Sequence, residues 1–192
     1  TLSQTVELTD LLEKMTRILL ENAGAERVLV LSRDEGQWFV WASGKVGDPA
    51  IQTGLRFPVS EAAGLSLSVF NYVIHSGKAI VLEHASRDPQ FGADTYLCEH
   101  QVKSLLCLPI YHKSALNLVI YLENNLTERA FTENRLEFLR LLSGQIAISL
   151  ENALIYDNLK TSIAERLLLS QHLQRSQRME AIGTLASGIA HD

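Results

Sequence analysis

The sequence predicts an α+β fold that carries a long C-terminal helix, and three observations predict it. Apolar runs suited to strands flank an Asp34-Glu35-Gly36 turn, and a second, more strongly apolar pair occupies residues 104–123. Apolar residues at helical spacing precede, separate and follow these runs, an order of helix, hairpin, crossover segments, hairpin and packing helix. From Thr132 to the last residue no proline and no glycine-rich break interrupts the chain.

Taken in order, Leu8, Leu11, Leu12, Met15, Ile18 and Leu19 recur at helical spacing, so residues 4–22 form an amphipathic helix closed by Ala23-Gly24. Arg27 to Arg33 is a strand, Asp34-Glu35-Gly36 a hairpin turn, and Gln37 to Ser43 a second strand. Simple alternation puts Trp38, Val40 and Ala42 on one face of that strand and Phe39 and Trp41 on the other. The two tryptophans are expected to pack against the long helices. Residues 51–57 form a weaker third strand, residues 65–76 a helix ended by Ser76-Gly77, and Ala79 to Glu83 a short buried strand. Residues 86–101, with Asp88-Pro89, are loop and short helix. Ser104 to Tyr111 and Leu116 to Glu123 are apolar strands joined by a tight turn, and Thr132 caps the helix that follows.

That last helix, about 60 residues and roughly 90 Å at 1.5 Å per residue, exceeds what one small domain covers. Its first half is expected to pack on the sheet through Leu136, Leu139, Leu142, Ile146 and Leu150. Its second half must bury Leu159, Ile163, Leu167 and Leu173 elsewhere, and the economical partner is the same helix of a second copy, as a parallel coiled coil. No single heptad register runs through residues 146–189, because Asp157, Lys160, Ser170 and Gln177 interrupt each one. Two readings follow, an imperfect linker or a coil with two near-degenerate packings.

Composition narrows the class. Of 192 residues 46% are hydrophobic and 20% charged, and the net charge is −5, which gives no electrostatic case for nucleic acid or an anionic membrane surface. No run approaches the roughly 20 apolar residues of a membrane-spanning helix. Cys98 and Cys107 lack zinc-site spacing and suit reduced thiols in a cytoplasmic setting. His75, His84, His100 and His112 show no metal-like spacing and are expected on the surface or in loops.

The most informative stretch is the last, Arg178-Met179-Glu180-Ala181-Ile182-Gly183-Thr184-Leu185-Ala186-Ser187-Gly188-Ile189-Ala190-His191-Asp192. On a helix, Met179, Ile182, Leu185, Ala186 and Ile189 form an apolar seam, and Glu180, Thr184, Ser187 and His191 lie opposite it. Gly183 and Gly188 each cost about 1 kcal/mol relative to alanine inside a helix, so helix stability did not select them. A neutral imidazole held outward is a competent nitrogen nucleophile near neutral pH.

This stretch resembles the phosphoacceptor segment of two-component sensor histidine kinases. The resemblance implies that His191 is phosphorylated and that Asp192 orients the imidazole and receives its proton. Upstream, Lys103-Ser104-Leu105-Leu106-Cys107-Leu108-Pro109-Ile110, Val119-Ile120-Tyr121-Leu122-Glu123-Asn124-Asn125, Ala130-Phe131-Thr132 and Gln145-Ile146-Ala147-Ile148-Ser149-Leu150-Glu151-Asn152-Ala153 resemble the GAF domain of bacterial sensor kinases. That resemblance implies an antiparallel sheet of five or six strands, with the first and last helices on one face and a small-molecule pocket on the other. Ala115 and Asn117 depart from it, because such hairpins often carry glycine there.

GAF domains hold many ligands, so the fold does not name one. The Cys-His pair of bilin-binding members is missing, since Cys98 is followed by Glu99. Of the cyclic-nucleotide pattern only Asn125 and Phe131 match. Cys107, inside an apolar strand, gives no support for a methionine sulfoxide reductase. A pocket on this fold would be walled by Phe70, Val73, Phe91, Tyr96, Leu97 and Cys98.

The organisation expected is a GAF domain over residues 1–158, a coiled-coil signalling helix over 159–176 and the start of a phosphotransfer helix over 177–192. The chain has no Gly-x-x-x-x-Gly-Lys-Ser/Thr and no Gly-x-Gly-x-x-Gly, so it is expected to be a fragment that catalyses nothing alone. ATP and Mg would belong to an ATPase domain of the parent kinase. The partners implied are a second copy of the chain, the receiver domain of a response regulator and a small-molecule ligand of unknown identity. Two other functions fit the same residues, a ligand-free dimerisation module and a ligand-binding module with an output other than phosphorylation.

Overall fold

In the computed structural model, described for residues 2–48, 50–61, 64–112 and 115–191, a six-stranded antiparallel sheet has the order β3-β2-β1-β6-β5-β4. The strands are β1 (Arg27–Asp34), β2 (Gln37–Lys45), β3 (Gln52–Pro58), β4 (Ile80–Leu82), β5 (Ser104–His112) and β6 (Ala115–Asn124). The helices are α1 (Leu2–Ala23), α2 (Leu67–Ser76), α3 (Thr95–Glu99) and α4 (Glu133–His191). The chain falls into two units, Thr1–Glu151 and Asn152–Asp192.

Local chemistry explains most of the boundaries. Glu35 and Gly36 both take positive φ, 47° and 84°, the combination that a two-residue hairpin turn needs to match strand twist. Ser66 caps α2 by accepting from the Val69 N–H, and Gly77 ends it at φ 68° with its N–H on the Val73 carbonyl. Asp94 caps α3 through Leu97 N–H at 3.1 Å. The tip of the β5–β6 hairpin, residues 113–114, lies outside the described residues.

The two faces of the sheet bury different helices. Leu12, Met15, Leu19 and Ala23 line the buried side of α1, which packs on β1, β2 and β3. The opposite face carries Leu29, Leu31, Val40, Leu105, Cys107, Val119 and Tyr121, packed with Val69, Phe70 and Val73 of α2 and Leu97 of α3.

One departure from simple alternation decides which residues face which helix. The β1 pairing skips Trp41, since Leu31 pairs with Val40 and Val30 with Ala42, whereas on the other side Phe57 pairs with Val40 and Thr53 with Ala42, so that there the extra residues lie in β3. Trp41 is thus the extra residue of a β-bulge, and the bulge moves Ala42 to the face opposite Val40 and Trp38. The expectation that all three share a face is corrected for Ala42. Trp38 meets Phe70 of α2 edge-on, ring centroids 5.6 Å apart, and so packs on a crossover helix and not on a long one. β4 is likewise a half-buried edge strand, not a buried one, because only β5 pairs with it.

Gly44, beyond the bulge, lets α1 sit close to β2. A Cβ there would lie 2.8 Å from Thr16 Cγ2 and 3.0 Å from Leu20 Cδ1. Thr16 is fully buried and tied by its hydroxyl to the Leu12 carbonyl, so its methyl cannot swing away. Gly44→Ala is expected to destabilise the domain by about 1–3 kcal/mol through overpacking. The double variant with Thr16→Ala should recover part of that loss in urea unfolding, and strict additivity of the two losses would refute the contact.

In the first unit, Leu136 and Leu139 of α4 are buried and Leu142 is half-buried, while the side chains of Ile146 and Leu150 lie outside the described residues. In the second unit, Ile155, Leu159, Ile163, Leu167 and Leu173 are each at least half exposed. No helix of the described residues is long and apolar enough to cross a membrane.

Candidate functional site

The strand ends nearest the helix roots gather charge on the α2/α3 face of the sheet. Arg27 opens β1, opposite Lys45 at the end of β2 and Glu123 near the end of β6. The same alternation that turns Leu29 and Leu31 inward turns Arg27 and Glu123 to this face. Glu123 is 2% exposed.

Glu123 is buried but not alone. Tyr121 donates to its Oε1 at 2.8 Å and Tyr96 to its Oε2 at 2.9 Å. Arg27 Nη1 lies 3.5 Å from Oε2 and also donates to the Tyr96 hydroxyl at 2.7 Å and to the Gly64 carbonyl at 2.5 Å. The Ser66 N–H donates to the Tyr121 hydroxyl at 2.9 Å. One carboxylate therefore ties β1, β6, α3 and the segment before α2 together. Burial pushes its proton affinity up, and the Arg27 charge and the two tyrosine hydroxyls pull it part of the way back. Burial and the neighbouring carboxylate push both tyrosine hydroxyls up, so they stay protonated donors. Asp94 shows the opposite balance: burial raises its proton affinity, but hydrogen bonds from Ser68 and Leu97 outweigh this and hold it below the ordinary value.

Beside this network lies a cleft of about 250 Å³ lined by Glu26, Arg27, Lys45, Tyr96, His100, Glu123 and Asn125. Lys45 Nζ stands 3.7 Å from Glu26 Oε1, beyond hydrogen-bond length. The His100 ring stacks on Tyr96 at 4.3 Å. Asn125 donates its N–H to Glu26 Oε2, while its Oδ1 is buried and accepts no hydrogen bond.

The residues expected to wall a pocket are distributed differently. Phe70, Val73, Phe91 and Leu97 are buried members of the core between sheet and crossover segments. Tyr96 packs on that core and presents its hydroxyl to the cleft. Cys98 is exposed and donates its thiol to the Gly92 carbonyl. Cys107 is fully buried, and burial pushes its thiol far above the ordinary value, as suits a small core residue. The backbone of His191 is helical, but its side chain and the whole of Asp192 lie outside the described residues.

Sequence reasoning missed Arg27, Glu123, Glu26, Lys45 and Asn125. A signal was present for two of them: Arg27 and Glu123 are charges on the inward-facing alternation of otherwise apolar strands. Lys45 joins them only through the bulge-shifted register of β2.

A six-stranded antiparallel sheet with α1 on one face and short crossover helices over a polar-edged core on the other is the α+β architecture of a GAF-like fold. The chain belongs to the GAF domain family, whose model matches residues 7–150. It is 30% identical over 128 residues, 67% of its length, to hybrid signal transduction histidine kinase G of Dictyostelium discoideum. It is 28% identical, across 94% of its length, to the peroxide stress-activated histidine kinase mak2 of Schizosaccharomyces pombe. The chain spans only 4% and 8% of the length of these two relatives. Among solved structures, the GAF domain of a two-component sensor histidine kinase from Bacillus halodurans superposes with TM-score 0.56 at 20% identity, covering 77% of this chain and 95% of that one. A GAF domain/HD domain protein from Geobacter sulfurreducens superposes with TM-score 0.58 at 12% identity, covering 81% and 99%. These similarities support a sensory role in signal transduction for the domain.

Proposed function

We propose that this chain is the sensory and dimerising part of a two-component histidine kinase, and that it passes a signal from its GAF domain to the phosphoacceptor His191. The observation that carries the reading is the continuity of α4 from Glu133, rooted in the GAF domain, to His191 in its kinase-like string. The histidine kinases among its relatives support it.

In this reading a second copy of α4 covers Ile155, Leu159, Ile163, Leu167 and Leu173, each about 1.5–3 kcal/mol more favourable buried than exposed. A change at the GAF domain alters how the paired helices pack, which moves His191 relative to an ATPase domain that holds ATP and Mg²⁺. The imidazole attacks the γ-phosphoryl group, the β–γ phosphoanhydride bond breaks and ADP leaves, Asp192 takes the imidazole proton, and the phosphoryl group then passes to an aspartate carboxylate of a response-regulator receiver domain, which frees the imidazole. The setting is cytoplasmic, where ATP is available.

The test is phosphorylation. The chain, extended through a complete phosphotransfer bundle, is incubated with its ATPase domain and γ-labelled ATP, alongside His191→Gln. Acid-labile label in the wild type that the variant abolishes is the expected result. Label that persists in the variant, or none in a folded, dimeric wild type, moves the function to a dimerisation or ligand-binding module without phosphoryl transfer.

A further inference from the structure

We infer that the cleft between Glu26, Lys45 and Asn125 is a binding site for a free α-amino acid. The inference gives the sensory reading above a ligand class. It stands or falls separately from phosphorylation of His191, because its test reads binding alone.

Charge decides the class of ligand. The cleft holds two cations, Arg27 and Lys45, and two carboxylates, Glu26 and Glu123, so neither a simple anion nor a simple cation matches it. Lys45 and Glu26 stand side by side at 3.7 Å without a hydrogen bond between them. A ligand bearing a carboxylate and an ammonium a few bonds apart complements both at once, carboxylate toward Lys45 and ammonium toward Glu26. Asn125 also lines the cleft and is tied to Glu26 through its own N–H, which fixes the position of that carboxylate. Arg27, which also lines the cleft, adds a second positive charge on the side of the ligand carboxylate.

Size and position agree with this. At about 250 Å³ the cleft falls below the range of roughly 300–1,000 Å³ that takes drug-sized ligands and nucleotides, and it suits a small metabolite. It also lies at the roots of both long helices. Glu26 follows the end of α1 at Ala23, and Asn125 precedes the start of α4 at Glu133. The Asn124 side chain donates to the Gly24 carbonyl at 2.8 Å, and Asn125 N–H to Glu26 at 3.1 Å, so the two connections are already stitched at the cleft wall. A ligand that engages Glu26 and Asn125 bears on both.

Titration calorimetry of the 192-residue chain against each of the common L-amino acids tests the inference. Propionate and ethylamine serve as the half-ligands, and circular dichroism establishes that each protein is folded. Saturable binding of at least one amino acid, with none of propionate or ethylamine, is expected. Lys45→Met and Glu26→Gln should each weaken it about tenfold, the loss of one hydrogen bond to a charged group. Three results would overturn the inference: no binding by the folded wild type, equal binding of a half-ligand, or undiminished binding by both variants.

Discussion

Arg27→Ala is expected to lower the stability of the domain by about 3 kcal/mol, the lower end of what breaking a buried ion pair costs. The lower end applies because the Arg27 side chain remains 27% exposed, so part of its charge is already screened by water. The loss arises at Glu123, which stays 2% exposed and keeps two tyrosine donors but loses the guanidinium beside it. The pH dependence carries the signature. Glu123 has its proton affinity raised in the folded state, so the unfolded chain gives up this proton at lower pH than the native one. Stability attached to this group is therefore present below the ordinary glutamate value and is lost as pH rises through the raised folded value. Removing Arg27 raises that value further, so the variant should fall behind the wild type by more at pH 8 than at pH 5. Urea unfolding at the two pH values measures this directly. A deficit that is the same at both would show that packing of the Arg27 stem, and not its charge, is what matters. Adding Glu123→Gln to Arg27→Ala should flatten the pH dependence.

Phe70→Ala is expected to cost about 3–5 kcal/mol, the range for deleting a fully buried aromatic side chain. Phe70 is 3% exposed, holds the centre of α2 against the sheet and meets Trp38 edge-on. Had it lined an open pocket, truncation would enlarge a space already filled by solvent and cost little. Here it opens a void among Leu31, Val40, Val69 and Val73, which rigid strands cannot close. The Trp38 fluorescence should shift to the red with the same substitution, since its ring loses its apolar neighbour. A loss below about 1 kcal/mol in urea unfolding would contradict the core assignment. Phe70→Leu, which keeps most of the volume, should lie between alanine and wild type.

Much of this was legible along the chain because local rules determine it. The period of Leu12, Met15 and Leu19 sets the buried side of α1, Asp34-Glu35-Gly36 sets the first hairpin, and Gly77 ends α2, each through interactions between neighbours in sequence. The unbroken run from Thr132 likewise determined α4, and the family could be read from strings of residues. What the sequence could not supply depends on pairing between distant segments. Trp41 is a bulge only because adjacent residues of β1, Val30 and Leu31, pair on either side of it, and no alternation rule along β2 reveals which residue its partner will pass over. The polar network is of the same kind. Arg27, Tyr96 and Glu123 are separated by 69 and 27 positions, and they meet because β1 and β6 are central partners and α3 crosses their ends. Phe70 and Leu97, suggested by sequence as pocket walls, became core for the same reason. An apolar side chain on a crossover helix either lines a cavity or fills it, and only the distance between that helix and the sheet, set by every side chain packed between them, decides which.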